Sequence, residues 1–232
     1  MTATTQGVQI ADTSLVSDAN LQFYMKFEDN WNDSSANGYH LSPTNSPTFV
    51  TGKFGKAGNF VAASSQKATR AIASMGNVAV TTTQSWMGWL KIPTLLVNNY
   101  MFGISNGGNW FVSGSNGGEV TWGSGLSVSP QATPFVANEF AHFAFTYNSS
   151  TNKISSWFNG VINQNQVSVT GTFTKTGNTF GVGNIGDYAG YGTFIVDDLA
   201  MFNREITQAD VDKIFPSPSG GSPIFFGNTA IA

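Results

Sequence analysis

"FIVDDLAMFNREI", residues 194–206, has the apolar content of a buried strand, yet two aspartates stand side by side in its middle. Neighbouring side chains on a strand point to opposite faces. Strict alternation puts Asp197 with Ile195, Leu199 and Met201, and Asp198 with Phe194, Val196 and Ala200. Both faces are apolar, so a carboxylate is aimed into whichever one is the core. An unpaired buried carboxylate is very costly. A distant part of the chain must therefore supply a partner. Adjacent strand residues diverge, so the pair is not read as a catalytic couple converging on one substrate atom.

Similar runs occur on either side of this stretch. "LQFYMKFE" (21–28), "SWMGWLKI" (85–92) and "FAHFAFTY" (140–147) alternate in the same way, with Gly, Asn, Ser and Pro between them. "SWMGWLKI" puts Trp86, Gly88, Leu90 and Ile92 on one face and Met87, Trp89 and Lys91 on the other. In "KISSWFNGVIN", Asn159-Gly160 predicts a two-residue hairpin of type I′. Many short strands at regular spacing predict an all-β sandwich or jelly roll. The one persuasive helical signal is "NREITQADVDKIF". Thr207 and Asp210 form a capping-box-like start, and Pro216 and Pro218 end the segment. The chain divides into an N-terminal arm (1–19), one domain (20–215) and a Pro/Ser/Gly-rich C-terminal tail (216–232) carrying Ile224-Phe225-Phe226.

The bulk numbers exclude several function classes. The chain has 232 residues, enough to bury a core without staples. Only 10% are charged against about 25% in typical soluble domains, and the net charge is -3 with no basic run, which argues against nucleic acid. Cysteine is absent, so disulfides, thiol catalysis and Cys-ligated metals are excluded. No apolar run approaches the ~20 residues of a membrane span, and the first twenty residues lack the basic and apolar regions of a signal peptide. No membrane insertion is expected.

Several segments, in fixed order, resemble the LamG-like family, the laminin G/pentraxin-type concanavalin A-like jelly rolls of bacterial and phage surface proteins. "DSSANG" (33–38) is similar to that family's D-S-S-G-N-G loop. "TGKFGKAGNFVAA" (51–63) is similar to its G-K-F-G-x-A-x-x-F-D-G segment, with Phe60-Val61-Ala62 where the family has F-D-G. "QSWMGWLKI", "FAHFAFTYNSSTNKISSWFNGVIN" and "FIVDDLAMFNREITQADVDKIF" resemble its later strands, so the match runs over about residues 20–215. The resemblance implies two antiparallel sheets, one short C-terminal helical turn and extended terminal arms. It also implies a structural calcium ion at Asp197, with Asp33 and with Glu28 through its backbone. Read from the residues alone, an aspartate satisfied by backbone N–H groups and hydroxyls is the alternative.

Catalytic signals are thin. There are four glutamates, Glu28, Glu119, Glu139 and Glu205, and none has an acidic partner two or four residues away on an interior strand. His40 and His142 have no evident nucleophile partner, and packing is the role expected of His142. Binding signals are better. Sugars are held on flat aromatic faces beside amide and carboxylate groups. The glycine-rich loop "GNIGDYAGYGT" (183–193) offers Asp187, Tyr188 and Tyr191. "NGGNWF" offers Asn109 and Trp110, and "EVTWGSG" offers Trp122. The same aromatics also suit packing.

The expectation is a non-catalytic, lectin-like module on a virion or cell surface, of the capsid-decoration or tail-fibre kind. It would bind a carbohydrate or other host-surface ligand, with its termini contacting neighbouring virion proteins or further copies of itself. A purely structural assembly protein is the alternative, and a glycoside hydrolase the remote one.

Overall fold

The computed structural model describes residues 13–76, 83–95, 99–104, 111–114, 120–122, 135–169, 179–184, 186 and 190–214. Over these the chain forms fourteen strands in two antiparallel sheets. The larger sheet runs β12 (Val161–Ser168), β11 (Lys153–Phe158), β10 (Phe140–Asn148), β6 (Gln84–Lys91), β14 (Phe194–Phe202), β4 (Lys56–Phe60) and β3 (Thr48–Thr51). An eighth strand, β1 (Leu21–Met25), also pairs with β14. The smaller sheet runs β2 (Ser42–Thr44), β5 (Lys67–Ala71), β13 (Thr179–Val182), β7 (Asn99–Ile104), β8 (Phe111–Gly114) and β9 (Val120–Trp122). This is the two-sheet jelly-roll sandwich that the sequence predicts.

The core between the sheets takes one side of each strand. From the large sheet come Phe23, Met25, Phe60, Trp86, Leu90, Phe143, Phe145, Phe194 and Val196; Phe102, Ile104, Phe180 and Val182 face them from the small one. Rings carry much of this contact: Trp86 meets Phe23, Phe102 and Phe180 with centroids 5.4–5.6 Å apart. Each fully buried large side chain contributes roughly 1.5–3 kcal/mol.

The large sheet is apolar on its second face as well. There Leu21, Tyr24, Met87, Ala144, Trp157, Ala200 and Phe202 are buried beneath two short helices, α1 (Thr13–Val16) and α2 (Gln208–Ile214). Leu15 from α1 and Val211 from α2 complete that cluster. This double burial explains why β6 and β14 read apolar on both faces. The predicted capping box at α2 is formed: Thr207 N–H donates to Asp210 Oδ2 (2.9 Å). Arg204 joins the helices, pairing with Asp18 at 2.6 Å and Asp210 at 2.8 Å, and Lys213 Nζ donates to Ser14 Oγ (3.1 Å). Residues 13–18, the end of the expected N-terminal arm (1–19), pack on the large sheet through Leu15 and pair with Arg204 through Asp18. The hairpin at Asn159-Gly160 has φ of 47° and 80°, the two positive angles a type I′ turn requires.

The alternation expected for residues 194–202 is broken. Asp197 pairs with Trp89 and Ala200 with Met87, so Asp198 and Leu199 together stand opposite the single residue Gly88. Asp198 is the extra residue of a β-bulge, with φ of 50°. One inserted residue shifts the period of two by one. Leu199 and Met201 therefore join Phe194 and Val196 in the core between the sheets. Asp197 lies on the other face, in line with Ala200 and Phe202.

Candidate functional site

Two places in the fold carry the residues singled out by sequence. The first is the bulge. Asp197 and Asp198 are both fully buried. Asp198 Oδ1 accepts the Tyr24 hydroxyl at 2.6 Å, and Tyr24 belongs to the cluster under the helices. The bulge therefore turns both carboxylates toward the same side of the sheet. The expected divergence of the pair is corrected by the same inserted residue that resets the register.

A tight turn closes this spot. Residues 52–55, "GKFG", join β3 to β4 and fold over the Asp197 carboxylate, with Gly52 N–H donating to Gly55 O at 3.0 Å. Phe54 N–H donates to Asp197 Oδ2 at 2.9 Å. Gly52 lies so close that a Cβ there would strike Asp197 Oδ2 and the Lys56 carbonyl. Phe54 packs edge-on against Trp89 at 5.7 Å, and Lys53 Nζ sits 4.7 Å over the same ring. Asp197 Oδ1 finds no hydrogen-bond donor among the described residues. Burial first, and the neighbouring Asp198 charge second, push the Asp197 carboxyl up to about 8. Across β6, Trp89 meets His142 at 5.3 Å; the imidazole is wholly buried, and burial pushes it down to about 3. His142 thus has the packing position expected of it.

Asp33 sits on the far side of Tyr24. Its Oδ1 accepts the N–H groups of Tyr24 and Ser35, both at 2.8 Å. Its Oδ2 accepts Ser35 Oγ and Tyr39 N–H, also at 2.8 Å. Glu28 accepts the Lys56 N–H at 3.2 Å on each carboxylate oxygen. Among the described residues no three Asp, Glu or His side chains are grouped so as to hold a metal ion. Asp33 is filled by three backbone N–H groups and the Ser35 hydroxyl, and the Glu28 carbonyl, the oxygen that the resemblance implies as a ligand, accepts Asn30 Nδ2 at 2.6 Å. Asp197 Oδ1 is the open oxygen of the set.

The second place is the outward face of the small sheet. Ala68, Phe102 and Val182 point into the core, so Thr69, Gly103 and Gly181 beside them point away from it, while Met101 is buried in the same core as Phe102. One cross-strand row there reads Ser42, Thr69, Gly181, Gly103, and the next begins Thr44, Lys67. Ser42 and Thr69 reach solvent, whereas both glycines are buried, and a Cβ at Gly181 would strike Asn184 and the Gly186 N–H. The loop after β13 folds back over one end of this face. Gly192 N–H donates to Gly183 O (2.9 Å), Asn184 bridges to Tyr191, and the buried Asn184 Nδ2 donates to Gly186 O (2.7 Å). Tyr191 is half-buried, with Lys67 Nζ 6.0 Å over its ring. Tyr100 of β7 lies against Gly190, where any Cβ would run into the Tyr100 ring.

Of the six predicted ligand-binding residues, the structure therefore places Tyr191. Asp187, Tyr188, Asn109 and Trp110 lie outside the described residues, and of Trp122 only its place in β9 is described. Sequence reading missed Tyr100 and Lys67. Both sit in short strands some 90 to 125 positions before the loop, and only the strand order β5-β13-β7 brings them together. Asn184 was passed over inside the quoted loop.

The sequence profile of the Laminin_G_3 family, described as the concanavalin A-like lectin/glucanases superfamily, matches residues 62–212. The chain belongs to that family, and its fold is the lectin-like β-sandwich. No curated protein sequence matches it. Among solved structures it resembles domain 4 of AbnA, an extracellular GH43 arabinanase from Geobacillus stearothermophilus in complex with arabinotriose. That match has a TM-score of 0.67 at 17% identity and covers 84% of this chain and 98% of that one. It also resembles the binding domain of Paraclostridial Mosquitocidal Protein 1 (TM-score 0.61, 17% identity, 84% and 52% covered). A third likeness is to Trypanosoma rangeli sialidase in complex with sialic acid (0.62, 14%, 86% and 33%). The chain thus spans about half of the toxin domain and a third of the sialidase. At these identities the likeness is one of fold. No helix among the described residues is long and apolar enough to cross a membrane.

Proposed function

We propose that the chain is a non-catalytic carbohydrate-binding module of an extracellular surface, such as that of a virion or cell, working through the outward face of its small sheet. The observation that carries this reading is that Tyr100 packs against Gly190 while the next residue, the half-buried Tyr191, carries Lys67 over its ring, with Ser42 and Thr69 on the same sheet. A sugar has an apolar C–H face and equatorial hydroxyls. Ring faces take the first, and the hydroxyls of Ser42 and Thr69 take the second. Lys67 adds a cation beside Tyr191. The reading is non-catalytic because the buried carboxylate pair, Asp197 and Asp198, lies on the opposite side of the sandwich under the 52–55 turn. The arabinotriose bound by one structural neighbour and the sialic acid bound by another name the first probes.

In a glycan array read with the multivalently displayed protein, wild type is expected to bind, and Tyr100→Ala with Tyr191→Ala to lose at least tenfold in affinity. Tenfold corresponds to about 1.4 kcal/mol, modest for two aromatic contacts. Absence of any bound glycan under multivalent display defeats the reading. With Asp33 filled by three N–H groups and a hydroxyl, a chelator is expected to leave the melting temperature unchanged within about one degree. A larger fall would show that the folded chain binds an ion. A purely structural assembly role is the second reading, and the exposed apolar strand β12 is what favours it.

A further inference from the structure

The strands of the small sheet carry two charged side chains, Lys67 and Arg70, both cationic and both on β5. They are used differently. Arg70 is committed to its own fold: Nη1 donates to His40 O (3.1 Å) and Nη2 to Ser74 O (3.5 Å), and the guanidinium lies 5.4 Å from the Tyr39 ring centroid. The ion pairs among the described residues join Arg204 and Lys213 to Asp18 and Asp210, and none involves Lys67. The Lys67 ammonium stands instead 6.0 Å over the Tyr191 ring. Its strand is fixed against the tyrosine loop. A Cβ at Gly183 would strike the Lys67 Cα, and the Gly192 N–H, next to Tyr191, donates to Gly183 O. Gly183 also has φ of 93°, which a glycine alone adopts without strain.

The groups around Lys67 share one chemical property. Thr44 stands across from Lys67, and Ser42 across from Thr69, on the same outward face. Ser42 and Thr44 are exposed, and Thr69 and Lys67 are half-buried. The ammonium only donates and the hydroxyls can donate, while no carboxylate and no side-chain amide stands in these two rows. A neutral sugar brings O–H donors as well as acceptors, and its donors are best met by carboxylate or amide oxygens. A carboxylate or sulfate brings acceptors alone, together with the negative charge that Lys67 lacks.

We infer that the ligand of this face is an acidic glycan whose carboxylate or sulfate pairs with Lys67 beside Tyr191. The inference rests on the carbohydrate-binding reading above and narrows its ligand class. It is tested on an array that prints each acidic glycan beside the same glycan without the group: sialylated beside desialylated, sulfated beside unsulfated. At about 0.05 M salt, where the screening length exceeds about 10 Å, the wild-type chain is expected to bind the acidic member about fivefold more tightly, the scale of one partly solvated ion pair. A preference among the sialylated pairs assigns a carboxylate, and one among the sulfated pairs alone assigns a sulfate. Lys67→Gln is expected to bring the two members within about twofold of each other, and Lys67→Arg to keep the preference. Lys153→Gln, which removes the same charge from β11 of the large sheet, is expected to keep it as well. Equal binding of acidic and neutral members by the wild-type chain overturns the inference and leaves the carbohydrate reading standing. A preference that survives Lys67→Gln, or that Lys153→Gln removes as fully, overturns it too, because the charge then acts from elsewhere. An array with no bound glycan at all overturns the inference and the reading together.

Discussion

Replacing Asp33 with alanine is expected to lower the unfolding free energy by about 3 kcal/mol or more. The carboxylate is buried and accepts four donors: three backbone N–H groups and one hydroxyl. Those donors lie in the 33–39 loop and in β1, so a single side chain fixes the first strand to the loop that follows it. Alanine leaves the Tyr24 and Tyr39 N–H groups facing a cavity. In a domain of about 200 residues such a loss lowers the melting temperature by roughly 6–12 °C. Asparagine should recover about half, because its oxygen still serves one pair of donors while its NH₂ faces the other pair. An alanine variant that melts within a degree of wild type would show that the loop does not depend on Asp33.

The second large effect is a pH dependence with an unusual alkaline side. Asp197 is pushed up to about 8, well above its unfolded value near 4. Between those values the folded state holds a proton that the unfolded chain has released. Its contribution is fully present below about pH 4 and is lost as pH rises through 8. His142 is pushed down to about 3 from an unfolded value near 6.5. Its contribution is present above pH 6.5 and is lost as pH falls toward 3. Asp18 and Asp210 add to the acid side. Burial alone would raise them, yet hydrogen bonds, from Asn20 and Arg204 to Asp18 and from Arg204 and Thr207 to Asp210, hold both below the usual carboxylate range.

From pH 4 to 6.5 the Asp197 and His142 slopes are opposite and of equal size, about 1.4 kcal/mol per pH unit, so stability is nearly flat there. From pH 6.5 to 8 the Asp197 slope acts alone and removes about 2 kcal/mol. Urea unfolding at pH 5, 6.5 and 8 measures this directly. Asp197→Asn should abolish the alkaline loss and leave the acid loss in place. Wild-type stability at pH 8 equal to that at pH 6.5 would refute the assignment.

Most of the architecture was legible because it rests on periodicity. The two faces of "SWMGWLKI", the Asn159-Gly160 turn and the Thr207–Asp210 cap are local signals, and each appears where local chemistry places it. The face assignments after Asp197 failed because a bulge leaves no periodic trace: the sequence runs on while the pairing skips a residue. An aspartate is among the residues that tolerate positive φ, so the doubled aspartate was the available hint. The hydrogen-bonding role of Asp33 was not read from the sequence, where it stood only as a calcium ligand implied by the resemblance, since a turn carboxylate and a calcium ligand read alike. The proposed tyrosine site was half legible. Its loop announces itself by glycine content, but Tyr100 and Lys67 reach it through strand order, which no stretch of sequence displays.

The staple of Arg204 between Asp18 and Asp210 bears on how the module carries mechanical load. Ser14 and Lys213 touch, and Leu21 at the start of β1 pairs with Phe202 at the end of β14. Tension applied through the flanking segments enters at one corner and runs across these two strands rather than along them. It would part the helices, then open β1 from β14 one rung at a time, a low-force zipper. Tension applied by a ligand on the outward face of the small sheet and resisted at that same corner pulls first on the staple. Three ionic side chains, rather than the sandwich, would be the weak link of a tethered copy.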